Sequence, residues 1–304
     1  MYQVKRAFRT SGPVLRQNQC GDMEYLTFPL LEETGCVKHL FTTRLGGVSQ
    51  GIFATMNLGY HRGDHPEHVL ENYKIVGKAL GVSIEDMVTS KQTHTTNIRR
   101  VTSQDRGKGI VHPLDYDNVD GLITNEEGIV LATSYADCVP LYFVDPVKRA
   151  IGLAHSGWRG TVAQMGLCMV EKMKEQFGSC PKDLVAAIGP SICRDCYEVS
   201  EEVAEQFQVL LEGTEDILWE IKESKCYDDG RNFRRVLVPG NQPGKYQLDL
   251  WLANLVILRR AGIPLSQIAV TDICTCHNPE YLFSHRASQG KRGAMEAFLM
   301  LRES

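Results

Sequence analysis

The sequence has little of what would place it in a membrane, on a nucleic acid or among disulfide-stapled domains. The longest strongly apolar run in its 304 residues, around Leu250–Leu258, is too short and interrupted to span a bilayer. No apolar stretch follows the basic N-terminal residues "MYQVKRAFRTSGPVL", so they do not read as a secretory signal. Positive charge is not in excess. The 33 Lys and Arg face 37 Asp and Glu, and no long basic run occurs, which makes nucleic acid a poor partner. The 10 cysteines are scattered, with only Cys193/Cys196 and Cys274/Cys276 close together, a pattern of reduced thiols rather than a disulfide framework. No repeat, low-complexity tract or linker divides the chain. A soluble cytoplasmic protein with one domain over 1–304 is expected, residues 1–35 being a less certain N-terminal extension.

What is present is a series of short apolar runs rich in β-branched residues. They fall at Val37–Thr43, Ile129–Ser134, Leu141–Val144, Ala150–Ala154, Leu184–Ile188, Gln267–Thr271 and Ala294–Leu301, and strands are the natural reading. Helices are expected between them. "GDHPEHVLENYKIVGKALG" offers Asp64 as N-cap, Pro66 in the first turn and Gly81 as a stop. Thr161–Phe177 sets Met165, Met169, Met173 and Phe177 in an apolar row that reads as core rather than as a soft-metal box. Ser200–Leu211 and Asp249–Ala261 are further helical segments. Strands among helices without strict alternation predict an α/β (α+β) domain.

Four polar clusters follow the predicted strands: "FTTRLGGVS" with Arg44, "KQTHT" with His94, "ADCVP" with Cys138 and "HSGWRG" with His155 and Arg159. Singly, each has an ordinary structural reading. Together, His94, Cys138 and His155 offer imidazole and thiolate from three strand ends, a set that zinc accepts with one position left open. Separated ligands have no diagnostic spacing, so a nucleophile–base pair of Cys138 and His155 stays open beside the metal reading. The junction after His155, with its glycines, Arg159 and a helix start near Thr161, could bind an anion, and the loop of Arg44 could do the same. His61, His65 and His68 share a helix face but sit at a polar helix start, where solvent exposure is commoner. His65-Pro66-Glu67 with Cys193 and Cys196 imitates a base-deaminase zinc signature and fails in detail, because Pro190 is not adjacent to Cys193. Cys274-Thr275-Cys276-His277 could join Cys193 and Cys196 around a structural zinc, although free thiols on neighbouring strand ends are the more ordinary outcome.

In this order, the motifs resemble the YfiH/YlmD-type family, also called the laccase-domain or multicopper polyphenol oxidase family. The resemblance rests on "FTTRLGGVS", "NLG" at Asn57, "KQTHT", "DGLIT" at Asp120, "ADCVPL", "AHSGWRGT", "AIGPSI…CYEV", "DLW" and "CTC…FSHRA". It implies a single four-layer α/β/β/α sandwich with mixed sheets, and a metal site of His94, Cys138 and His155 holding one Zn²⁺ per chain. It also implies phosphorolysis of adenosine, inosine and methylthioadenosine with some deamination of adenosine, Arg44 and Arg159 acting on phosphate and Asn57 and Arg286 meeting the substrate. Partners would then be a small nucleoside and phosphate, with no nucleic acid and no membrane. Asp137 and His285 are candidate acids for the leaving base. Where many members carry an Arg-Arg pair, this chain reads "HRAS" and keeps only Arg286. The oxidase name fits the residues poorly: multicopper centres draw on His-x-His pairs, and the 9 histidines here form none. Cu²⁺ could still occupy the same three-ligand site.

Overall fold

Strands buried on both faces need continuous apolar sequence, and β8 (Val139–Asp145) shows the principle. Leu141 and Phe143 pack to one side, Tyr142 and Val144 to the other, and all four are fully buried. The computed structural model describes residues 1–7, 14–224, 227 and 235–303. One six-stranded sheet runs in the order β1 (Arg16–Cys20), β2 (Met23–Thr27), β3 (Val37–Thr42), β15 (Met295–Leu301), β7 (Val130–Tyr135), β4 (Met87–Thr89). A second runs β14 (Ile268–Val270), β10 (Val185–Ile188), β8, β9 (Ala150–Ser156), β6 (Gly121–Thr124), β5 (Ile98–Arg100). Both mix parallel and antiparallel pairs. A small third sheet joins β11 (Glu198–Ser200), β13 (Lys245–Leu248) and β12 (Leu237–Pro239).

The helices are α1 (Pro29–Glu32), α2 (Pro66–Leu80), α3 (Trp158–Val162), α4 (Met165–Phe177), α5 (Glu201–Leu210), α6 (Glu215–Ser224) and α7 (Leu250–Arg260). They complete the layers. Val69, Tyr73 and Val76 of α2 cover the first sheet at Leu40, Val130 and Phe298. Phe41, Leu131 and Leu299 meet Tyr142, Val144 and Leu153 between the sheets. On the outer face of the second sheet, Met165, Met169 and Met173 of α4 pack beside α7 on Leu141 and Phe143. The result is the α/β/β/α sandwich with mixed sheets. The longest apolar run of the sequence is α7, buried from Leu250 to Leu258. No helix among the described residues is long and apolar enough to cross a membrane.

All seven expected strands form, with ends shifted by a residue or two. Two helical readings need correction. The N-cap of α2 is His65 rather than Asp64, whose carboxylate instead accepts from the Asn57 amide and the His65 backbone N–H. The segment Thr161–Phe177 is two helices, because Gln164 adopts a left-handed φ of 59° that re-aims the chain. That break lets the methionine row lie flat on the sheet, where a Cβ on Gly152 would come within 2.6 Å of Met169.

Glu296 of β15 lies fully inside the first sheet's α2-facing layer. Its Oε1 accepts from the Tyr73 hydroxyl at 2.8 Å and the Ser134 hydroxyl at 2.7 Å, while Oε2 has no hydrogen-bond partner among the described residues. Burial pushes the carboxyl up to about 7, outweighing the two hydrogen bonds that oppose it. The folded state therefore holds a proton that the unfolded chain releases near its ordinary value. The stabilisation is complete below that ordinary value and is lost as pH rises through about 7. Between about pH 4.5 and 7 the unfolding free energy should fall by on the order of 3 kcal/mol from this group. Urea denaturation across that range should show a flatter pH dependence in Glu296→Gln. An unchanged slope would mean the carboxyl is ionised in the folded state.

Candidate metal centre

The chain passes from the first sheet to the second twice at one end of the sandwich, and each crossing carries a donor. The loop from β4 to β5 bears His94, and the turn from β7 to β8 bears Cys138. Both turns need left-handed backbone, at His94 (φ 64°) and at Asp137 (φ 83°). Donor atoms held in uncommon backbone conformations are a frequent mark of functional sites. The third donor, His155, is near the end of β9, where it pairs in register with Pro140 of β8. One ligand atom from each of His94, Cys138 and His155 lies within 4.8 Å of the others. His155 is buried, Cys138 half-buried and His94 exposed, so the cluster opens to solvent on the His94 side.

Asp120 organises this centre. Its carboxylate is completely buried and accepts backbone N–H groups from Thr93, His94 and Thr95 at 2.9, 3.0 and 3.0 Å. It also lies 2.8 Å from His155 Nδ1. Burial alone would raise its pKa, but the His155 contact and the backbone donors hold it down at about 2. An ionised Asp120 can only accept, so His155 Nδ1 carries a hydrogen and Nε2 is the nitrogen that binds a ligand once it gives up its own proton. For His155 burial works downward, yet Cys138 and Asp120 beside it raise its pKa to about 9. His94 is pushed the other way, by burial first and then by His155.

The remaining wall is Gly157, with an ordinary φ of −70°. Glycine is needed there for space rather than for backbone freedom. A Cβ would sit 3.0 Å from Cys138 Sγ and 3.2 Å from His94 Nδ1, inside the cradle that the donors enclose. Two imidazoles, a thiol, a carboxylate orienting one ring and a cradle free of side chain fit a zinc ion with an open position.

The other expected residues fall into different roles. Arg159 is exposed and stacks on Trp158 at 4.3 Å, with its charge felt at His94. It makes no hydrogen bond or ion pair among the described residues. The helix behind it, α3, is only five residues long, so the anion-binding capacity expected of that junction rests on Arg159 more than on a helix dipole. Arg44 commits Nε to the Ala54 carbonyl and Nη1 to the Pro279 carbonyl, and lies over Phe283. Its Nη2 and the second N–H of Nη1 remain for an anion. Arg286 sits over Tyr197, and its guanidinium donates to the carbonyls of Cys196 and Glu198. Asn57 corrects the reading from sequence. It is fully buried, its side chain joined to Asp64, Gly59 and Ala294, so it braces a loop and offers no surface to a substrate. Asp137 accepts from Thr275 Oγ1 and from the Arg286 backbone N–H, one on each oxygen, which makes it a brace rather than an acid. His285 is exposed, as are His61 and His65, while His68 pairs with Asp64 at 3.6 Å.

Two residues escaped the sequence reading. Asp120 stood there only as part of "DGLIT", with nothing to say that it meets a histidine 35 positions away. Arg292 was absent. Its Nε is buried with no hydrogen-bond partner among the described residues, and burial and the nearby Arg62 lower its pKa to about 10, against the pull of Asp137 and Cys138.

The sequence profile of the family described as multi-copper polyphenol oxidoreductase laccase matches residues 38–302. The chain belongs to this family. Among similar members, the Bacillus subtilis protein named purine nucleoside phosphorylase YlmD is 38% identical over 267 residues, covering 87% of this chain and 88% of that one. A protein of an unknown prokaryotic organism named adenosine deaminase RL5 is 31% identical, covering 81% and 87%. The crystal structure of YlmD from Geobacillus stearothermophilus superposes with a TM-score of 0.82 at 33% identity, covering 96% of this chain and all of that one. The laccase-like family thus includes members with nucleoside-enzyme names.

Asp120→Asn tests the organising role within this laccase-like centre. Four N–H groups converge on the carboxylate, and an amide nitrogen cannot accept from any of them. Zinc affinity, read by competition with a chromogenic chelator, should fall about 10- to 100-fold. Stability should fall by about 2–4 kcal/mol. Wild-type affinity in this variant would remove Asp120 from the metal centre.

Proposed function

We propose that this chain is a zinc-dependent purine nucleoside phosphorylase that cleaves adenosine, inosine and methylthioadenosine with phosphate and deaminates adenosine as a side activity. The observation that carries the reading is the convergence of His94, Cys138 and His155 on an Asp120-braced centre with one open side. The nucleoside-enzyme names of its relatives support it. Zinc held by these three residues would supply Lewis-acid polarisation for phosphorolysis and acidify water for deamination. Cu²⁺ could take the same ligands. The substrates are a small nucleoside and phosphate, and we place the reaction in the cytoplasm.

The chain's own residues supply position and charge. Arg159, unpaired among the described residues, stands at the exposed side of the centre, where its planar fork can hold phosphate bidentately. Arg292, with a buried unpartnered Nε near the Cys138 turn, adds a second charge in a partly desolvated setting, where it acts more strongly than in water. Arg44 contributes through Nη2, and Arg286 at the loop over Tyr197 is assigned to the substrate side. Held phosphate next to the ribose carbon converts a bimolecular attack into an oriented one. The alternative is a metal-free hydrolase with Cys138 as nucleophile and His155 as base. It uses the same contact and leaves His94 without a role.

Adenosine supplied with phosphate should yield adenine and ribose 1-phosphate, and without phosphate the cleavage should stop while deamination continues. Cys138→Ser should lose zinc and phosphate-dependent cleavage together. A cysteine hydrolase would lose activity and keep whatever metal it had. Arg159→Ala should raise the phosphate KM on the order of 10- to 100-fold with zinc content unchanged, and Arg159→Lys should recover part of it. Wild-type phosphate saturation in Arg159→Ala would refute the assignment.

A further inference from the structure

A second convergence of soft donors lies outside this centre. The loop after β10 carries Cys193 and Cys196, and the loop after β14 carries Cys274 and His277. β10 and β14 are parallel neighbours, so both loops leave the sheet at the same end. One ligand atom from each of the four residues lies within 4.8 Å of all the others. Cys193 and Cys274 are buried, and Cys196 and His277 are half-buried. All three cysteines are free thiols.

We propose that Cys193, Cys196, Cys274 and His277 hold a structural zinc ion in a closed tetrahedral site, separate from the centre at His94, Cys138 and His155. Each loop contributes a pair with two residues between its members, Cys-x-x-Cys and Cys-x-x-His, the spacing that lets a short turn direct two donors at one ion. The turn is present. Cys193 caps a single helical turn at Arg194–Cys196, and its backbone N–H points at Cys274 Sγ at 3.3 Å. An N–H donor aimed at sulfur favours the thiolate that a metal requires. Cys193 Sγ and His277 Nδ1 stand 3.9 Å apart, a poor hydrogen bond but a suitable separation for two ligands of one ion. Thiols are weak donors and weak acceptors, so hydrogen bonding alone gives little reason to gather three of them with an imidazole below the surface. With four protein ligands the site has no open position and is structural rather than catalytic.

Its position says what it holds. The two loops touch at Ser191 and Thr275, whose N–H donates to the Ser191 carbonyl at 3.1 Å. Between them they grip Asp137: Ile192 N–H donates to its backbone carbonyl and Thr275 to its carboxylate. Asp137 is the left-handed residue immediately before Cys138, and Arg286 is tied to the same group and to the Cys196 carbonyl. A zinc clip across the loops therefore fixes the back of the turn that presents Cys138.

Elemental analysis of protein purified without added metal should find two zinc ions per chain. Cys138→Ser should reduce this to one, Cys196→Ser should also reduce it to one, and the double variant should contain none. His277→Ala repeats the second loss at a half-buried position, should Cys196→Ser fail to fold. Thiol titration of the wild type, unfolded with chelator, should count all 10 cysteines. Zinc content unchanged by both Cys196→Ser and His277→Ala would overturn the proposal, as would two missing thiols, which would mean a disulfide. Zinc lost only in Cys138→Ser refutes this clip alone. Zinc lost only in Cys196→Ser and His277→Ala leaves the clip standing and removes the metal from the proposed nucleoside site.

Discussion

The geometry of the centre depends on one buried carboxylate. Asp120 stands at the start of β6, where it is inaccessible to water, and four N–H groups from two separate parts of the chain point at it. A buried charge is tolerated only when its hydrogen bonds are complete, and here three of the four are backbone donors of the loop that carries His94. The fourth is the ring of His155. One group therefore sets the conformation of one ligand's loop and the tautomer of another ligand. Because its unmet cost would be several kcal/mol, the loop has a strong reason to adopt the left-handed turn at His94.

The sandwich supplies the frame. Tyr135 on β7 reaches across the interior to donate to the Ala154 carbonyl on β9, joining the two sheets just before each chain arrives at a ligand. Its ring also lies 5.7 Å from that of His155. The apolar layer between the sheets thus ends in polar contacts at the end where the donors emerge. Asn57, expected to meet the substrate, instead ties a loop through the backbone N–H groups of Gly59 and Ala294, and Arg44 braces its own loop through the Ala54 and Pro279 carbonyls.

Sequence made the central strands legible because burial on both faces leaves no room for polar interruptions. It made the outer ones hard to see. β1 and β2, "RQNQC" and "MEYLT", lie at a sheet edge with few apolar residues to mark them, and β4 and β5 are three residues each. The trio of His94, Cys138 and His155 could be picked out because each residue closes or follows an apolar run. The partners that make it a centre could not. Asp120 acts across 35 residues, a separation at which no local pattern survives. Asn57 was misjudged for a related reason: a motif says that a side chain matters, and only packing says whether it faces outward.

The crossings between the sheets have a consequence for the unfolded chain. His94 and Cys138 sit on the two crossings by which the polypeptide passes from the first sheet to the second, so an ion shared between them would be a cross-link closing a long loop. Such a link removes configurational freedom from the denatured ensemble, as a disulfide does, and more so for distant partners. Ligand binding here would thus be written into the thermodynamics of folding. The protein would be hardest to unravel when its centre is filled, and the layers most free to part when it is empty.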